Sequence, residues 1–259
     1  MTLAVFRPTP AKDVRSNIKK RRTDTAMTDS YVCLDLETTG LDPKKDKIIE
    51  IGAVRVRSGE ITERMETLVN PGRMLPSRIV ELTGICDSQL TDAPDITKVL
   101  PELLDFIGED ILLGHGVLFD YSFVKKAAVN QRLTFEKKGI DTLKIARKFL
   151  GGLESRSLAF LCKHFGIAHN AHRALADAEA TSALYGKLTE LFLTGHEADF
   201  EPANLLYHAK RETPITIPQK EQLYKFIDRH KLKVEYDIGK LTRSEASRIM
   251  TQLLAEYGR

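Results

Sequence analysis

Two carboxylates two residues apart, Asp35 and Glu37, close the apolar run Tyr31-Val32-Cys33-Leu34, and the chain breaks at once into Thr38-Thr39-Gly40. The run is continuous and β-prone, as expected of a strand buried on both faces. Side chains at i and i+2 of a strand share a face, so the two acids emerge side by side at the strand's end. Buried together they repel and resist ionising together. They are tolerable if one keeps a proton or a cation sits between them. Alone, the pair is equally compatible with a solvated strand end.

Three later residues extend the pattern. Asp120 opens a helix after His115-Gly116-Val117-Leu118-Phe119. By itself it has an ordinary reading as an acid favoured by the helix N-terminus. Asp177 lies between Ala176 and Ala178 in an otherwise apolar helix, where a carboxylate is costly unless paired or metal-bound. His172 precedes it by five residues, which on a regular helix leaves the two roughly 140° apart. Both reach one site if His172 lies in the lead-in and Asp177 on the first turns.

The elements that must position these groups follow an α/β pattern. Lys47–Arg57 reads as a second strand and Ser58-Gly59-Glu60 as a turn. Ile61–Val69 reads as a third strand, so the second and third form a hairpin. A short helix is expected over Ser77–Leu82, and a longer one from Pro94-Asp95 to Ile107. Ile111–His115 reads as a short buried strand, Phe119–Gln131 as a helix and Gly139–Thr142 as a brief strand. Helices follow over Leu143–Phe149, Ser157–His164 and Arg173–Leu193. One hairpin followed by crossovers predicts a mixed sheet with helices on both faces.

In order, Asp35-Leu36-Glu37-Thr38-Thr39-Gly40, His115-Gly116-Val117-Leu118-Phe119-Asp120 and His172-Arg173-Ala174-Leu175-Ala176-Asp177-Ala178 resemble the three motifs of the DEDDh group of 3′–5′ exonucleases. That family includes the proofreading epsilon subunit of bacterial DNA polymerase III. Leu68-Val69-Asn70-Pro71 and Glu81-Leu82-Thr83-Gly84-Ile85 are similar to further stretches of it, and the resemblance covers about residues 31–193. One departure is Gly116, where the family often has Asn.

The resemblance implies a ribonuclease-H-like fold, a mixed five-stranded sheet flanked by helices, with the C-terminal helical appendage outside it. It implies two divalent cations, Mg²⁺ or Mn²⁺, which suit hard oxygen ligands. Asp35 would bridge both, Glu37, Asp120 and Asp177 would complete them, and His172 would be the general base. Thr38, Thr39 and Gly40 would approach the terminal nucleotide through backbone. Leu41 and Phe119 would pack on its base, and His115 would contact substrate. The implied activity is hydrolysis from the 3′ end of single-stranded DNA, in proofreading or repair. RNA trimming is an alternative, since discrimination rests on contacts to the 2′-OH. A non-catalytic nucleic-acid-binding adaptor is a third reading, disfavoured because four converging acids repel such a ligand.

Composition agrees with an intracellular, cytoplasmic enzyme. The chain is 42% apolar, and no run of about eighteen apolar residues marks a membrane helix. The N-terminus lacks the apolar core of a secretory signal. Cys33, Cys86 and Cys162 are far apart and read as reduced thiols. Residues 1–29 carry seven Lys/Arg against three Asp/Glu, and residues 202–259 eleven against seven. The middle, 30–201, carries 21 against 26. Basic ends around an acidic middle suit a carboxylate site that must hold a polyanion.

Four segments are expected: a disordered basic tail over 1–29, the exonuclease domain over 30–195, a linker over 196–214 and a helical hairpin over 215–259. In the hairpin, Pro218 opens one helix, Thr242 and Glu245 form a capping box on the next, and Gly258 ends it. Some forty residues are too few for an independent core, so the hairpin must pack on the main domain, a copy or a partner. Gln222-Leu223-Tyr224-Lys225-Phe226 is faintly similar to peptides that dock on sliding clamps, although Leu223 and Phe226 are needed for helix packing. A polymerase or a sliding clamp is the protein partner this raises. The chain is too short to hold a polymerase itself, so a separate polypeptide is expected.

Overall fold

A computed structural model describes residues 28–234 and 237–258. The expected basic tail lies outside the described residues up to residue 27. The sheet is built from β1 (Tyr31–Thr38), β2 (Ile48–Arg57), β3 (Glu60–Leu68), β4 (Leu112–Gly114), β5 (Lys138–Asp141) and β6 (Ala203–Asn204). Its order is β3-β2-β1-β4-β5-β6. The hairpin β2–β3 is antiparallel and joins β1 antiparallel, whereas β1, β4 and β5 run parallel. The chain is therefore a mixed α/β sheet with the five expected strands and a sixth. That sixth strand corrects the expected count. It has two residues, too few for any periodicity to announce, and it exists because β5 leaves an edge that Ala203 and Asn204 can pair.

The helices are α1 (Ser77–Thr83), α2 (Asp87–Leu90), α3 (Ile96–Ile107), α4 (Leu118–Asn130), α5 (Thr142–Phe149), α6 (Leu158–Phe165) and α7 (Ala174–Phe192). Strand parity sorts the core into two layers. Val32, Leu34 and Leu36 of β1 pack with Leu100, Leu103, Tyr121 and Val124 of α3 and α4. Tyr31 and Cys33 point the other way, into Ile145, Leu161, Leu184 and Leu188 of α5, α6 and α7. Asp35 and Glu37 continue the parity of Tyr31 and Cys33, so they face α7.

Gly52 lets α7 come close. It pairs with Asp35 across β1 and β2, and a Cβ there would lie 2.0 Å from the Ala174 carbonyl carbon. The first turn of α7 thus rests on bare strand backbone next to Asp35.

The segment expected as a linker runs along the domain. Phe200 joins the α7-side core, and Leu205 joins the α3/α4-side core. Beyond it, α8 (Ile217–His230) and α9 (Arg243–Tyr257) form the expected hairpin, with a turn of 3₁₀-helix at Ile238–Lys240 between them. Both helices open with reciprocal capping boxes, Thr216 with Gln219 and Thr242 with Glu245. Leu223, Phe226, Ile238, Ala246 and Met250 make a small core of their own, which corrects the expectation that so short a segment would have none. The two anchors of the clamp-like run are therefore turned inward. Lys47 pairs with Glu245 at 3.2 Å and so attaches the hairpin to the domain, while the Arg243 N–H donates to the Thr213 carbonyl at 2.8 Å and ties α9 to the segment that leads into α8. No helix among the described residues is long and apolar enough to cross a membrane.

Candidate active site

The end of β1 carries Asp35 and Glu37 on the α7 face. Glu37 stands opposite Glu50, and the pairing slips just beyond it because β2 holds one extra residue, Ile49. Such a bulge bends and twists the strand locally. Asp177 reaches the same place from the first turns of α7. Oxygens of Asp35, Glu37 and Asp177 all lie within 4.8 Å of one another.

Asp120 arrives from the opposite face of the sheet, at the start of α4. It is almost completely buried, and its Oδ1 accepts the Leu36 N–H at 3.1 Å. It therefore sits on the β1 backbone between Asp35 and Glu37. All four predicted acids meet at one strand end, two on the strand and one from a helix on either side.

Their charges are poorly compensated. Burial, then Asp120, Asp177, Glu37 and Glu50, push Asp35 well above the usual carboxylate range. Burial, then Asp177 and Glu50, push Glu37 up to about 7, with Arg173 opposing. Asp120 is pushed up to about 8, chiefly by burial, against the hydrogen bonds it accepts. Arg173 is committed elsewhere, to Glu50 at 2.8 Å and Glu66 at 3.0 Å. A cluster of carboxylates, two buried and two half-buried, that resist ionising together without a counter-charge fits a hard divalent cation such as Mg²⁺ or Mn²⁺.

The third motif is locked by two residues that local pattern does not single out. Glu50 is fully buried on β2. Its Oε1 accepts from Arg173 Nε and Nη2, and its Oε2 accepts the Ala174 N–H at 2.9 Å. It thus caps α7 from the strand. The one signal for it is a charge inside the apolar run Ile48-Ile49-Glu50-Ile51. His169 Nε2 meets Asp177 Oδ1, while the His172 N–H donates to Asp177 Oδ2 at 2.9 Å. His172 lies in the lead-in as its spacing requires. Its φ is 68° and its side chain is exposed at the rim.

The remaining expected contacts divide. Leu41, four residues past Glu37, is 83% exposed and packed on nothing that would hold it in the core. Phe119 is half-buried with its ring 5.0 Å from that of Phe123. Thr38 Oγ1 donates to the Gly40 carbonyl at 2.6 Å, and Thr39 Oγ1 accepts from Arg73 at 2.6 Å and the Lys47 N–H at 3.0 Å. Gly40 is pressed on the Asp46 carboxylate, where a Cβ would come within 2.5 Å. His115 departs from expectation. Its ring nitrogens bond Thr142 Oγ1 at 2.9 Å and the Arg156 carbonyl at 2.7 Å, so neither is left for substrate. It ties the second motif to the loop before α6. Gly116 has φ 93°, a region where glycine is at ease and where asparagine is among the few enriched non-glycine residues.

Residues 32–185 match the family model described as RNase_T, exonuclease. The chain belongs to this exonuclease family. It is 42% identical over 169 residues to the DNA polymerase III subunit epsilon of Aquifex aeolicus, covering 64% of this chain and 84% of that protein. It is 37% identical over 235 residues to the PolC-type DNA polymerase III of Oceanobacillus iheyensis, of which it spans only 16%. Among solved structures, the nuclease domain of 3′hExo, a DEDDh family member bound to rAMP, superposes with a TM-score of 0.58. That pair shares 20% identity and covers 70% of this chain and all of the other, which makes it a likeness of fold. The DEDDh fold with its mixed sheet is thus common to this chain and to exonucleases, and members of the exonuclease family depend on divalent metal.

Proposed function

We propose that the chain is a 3′–5′ exonuclease that removes nucleotides from single-stranded DNA ends, using two divalent cations held by Asp35, Glu37, Asp120 and Asp177. The observation that carries this reading is the convergence of oxygens from Asp35, Glu37 and Asp177 within 4.8 Å, with Asp120 bonded to the β1 backbone beside them. Bound cations would supply an activated water, relief of charge on the phosphate and stabilisation of the leaving 3′-oxygen.

The chain's own residues do the rest. The four carboxylates come from three rigid elements, so their geometry is set before substrate arrives. Glu50 holds the start of α7, and hence Asp177, against β1. His172, exposed at the rim on the lead-in to α7, takes the proton of the attacking water and releases it to solvent. Leu41 offers an apolar face to the terminal base, and Phe119 backs it. The Thr38–Gly40 backbone underlies the terminal sugar.

Single-stranded oligonucleotides of one sequence, as DNA and as RNA, with free and with blocked 3′ ends, test this reading. Stepwise shortening of free-ended DNA with Mg²⁺ or Mn²⁺, and none of blocked DNA, is expected. Cleavage that ignores the 3′ block, or a preference for RNA, would contradict it.

A further inference from the structure

The α8–α9 hairpin does not close on the exonuclease domain. Between them lies a cleft of about 690 Å³, walled on one side by α9 and on the other by the loops around Lys45 and Arg73. Its inner end is lined by Thr39, two residues past Glu37 and so within about 7 Å of it along the backbone. At Arg73 and Met74 it runs on into a second hollow of about 520 Å³ that reaches Lys231, Lys233 and Tyr257.

The charge of this path is opposite to that of the carboxylate cluster. Eight Lys and Arg line the two hollows against four Asp and Glu. Lys47 is balanced by Glu245 at 3.2 Å and Arg73 by Asp46 at 3.3 Å. Arg78, Lys240 and Arg248 are ion-paired to no carboxylate among the described residues. Burial, and then the nearby Arg248 guanidinium, hold Arg73 below its usual value even though Asp46 and Glu245 oppose the shift, so the two guanidinium groups lie close enough to repel each other. Apolar surface is interleaved: Met74 is 58% exposed and Tyr257 is 44% exposed. Cations that track a backbone, with flat or apolar side chains between them for bases, are the features of a single-strand path.

We propose that the cleft between the hairpin and the exonuclease domain binds the phosphate backbone of a single strand of the nucleic acid whose end lies at the carboxylates. The hairpin is then the outer wall of an extended substrate channel. This rests on the exonuclease reading, because it needs a polyanion at the adjoining site. It also gives the basic C-terminal balance a location.

The test is fluorescence anisotropy of 5′-labelled oligothymidylates of about 5 and about 20 nucleotides with the full chain in EDTA, across a salt series. The wild-type chain binds the longer strand more tightly. Arg78→Gln/Arg248→Gln weakens that binding roughly tenfold at low salt and lowers the slope of log affinity against log salt by about 1.4. Arg78→Lys/Arg248→Lys restores most of the affinity, which a folding defect would not allow. Lys240→Gln, elsewhere in the cleft, lowers the slope by about 0.7. Wild-type affinity and slope in both Gln variants, or no gain with length in the wild type, would overturn the proposal and leave the cleft to a protein partner. Hydrolysis of the p-nitrophenyl ester of thymidine 5′-monophosphate by the wild-type chain reports the carboxylate site alone. Its absence would count against the exonuclease reading and not against the cleft.

Discussion

Ala174 donates its backbone N–H to Glu50 Oε2 at 2.9 Å, so the first turn of the helix that carries Asp177 is capped by a residue of the strand paired with β1. The carboxylate does what an N-cap side chain usually does from within the helix. Here it comes from β2, and the bond fixes the distance between two motifs that lie far apart in sequence. Removing it leaves the Ala174 N–H without that partner and leaves Arg173 with Glu66 alone. Glu50→Ala is expected to cost about 2 kcal/mol or more, discounted for the half-exposed Arg173. At this size that is a fall in Tm of about 4–8 °C. Scanning calorimetry together with cleavage rate checks it, and activity should fall further than stability alone explains.

Gly52→Ala should be worse. The added carbon would meet α7 backbone at 2.0 Å, and backbone cannot rotate away as a side chain can. Overpacking of this kind costs about 1–3 kcal/mol or more, and relief requires α7 to lift from β1. The variant is expected to lose at least about tenfold in metal affinity, measured by Mn²⁺ titration, even where it remains folded.

The two histidines near Asp177 separate by role. His172→Gln should lower kcat by about 10²-fold or more while Mn²⁺ affinity holds, the outcome for a general base. His169→Gln removes the contact to Asp177 Oδ1 and should change Mn²⁺ affinity and Tm before it changes kcat at saturating metal. Equal kcat in wild type and His172→Gln would reassign the base.

The acids also set a pH dependence. Glu37 and Asp120, pushed up to about 7 and about 8, hold protons in the metal-free fold that the unfolded chain has already released. A raised acid favours the fold below its unfolded value, and that stability is lost as pH rises through the folded value. Metal-free Tm should therefore fall between about pH 5 and about pH 8.5, and the rise in Tm on adding Mg²⁺ should grow over the same window. Asp120→Asn should flatten the metal-free decline. A metal-free Tm that climbs with pH through this window would contradict the arrangement.

Much of the site was legible in the sequence because its chemistry is local. Alternation along Tyr31–Glu37 put both acids on one face, and the five-residue spacing placed His172 in the lead-in to α7. Elements were found wherever their periodicity ran long enough, as in α3, α4 and α7. Features that depend on the sheet being assembled were not legible. Glu50 is a charge in a strand until the β1–β2 register sets it opposite Glu37 and α7 docks over Gly52. His115 has a motif position that suggests substrate, but its ring orientation is decided by Thr142 and Arg156, 27 and 41 residues away. The strand β6 has no sequence pattern, since its pairing is supplied by the free edge of β5. The hairpin's helices were marked by their caps, whereas the cleft beside them arises only from how the hairpin is placed.

The most direct test of the central claim is degradation of 5′-labelled single-stranded DNA by wild type and Asp35→Asn, with Mg²⁺ or Mn²⁺ and with EDTA. Asp35→Asn removes one charge at the centre of the cluster and keeps the side chain's size. The account predicts a ladder shortening from the 3′ end in wild type with metal, none in EDTA, and a loss of at least about 10³-fold in the variant with both metals. Cleavage by Asp35→Asn at the wild-type rate, or by wild type at full rate in EDTA, would contradict it.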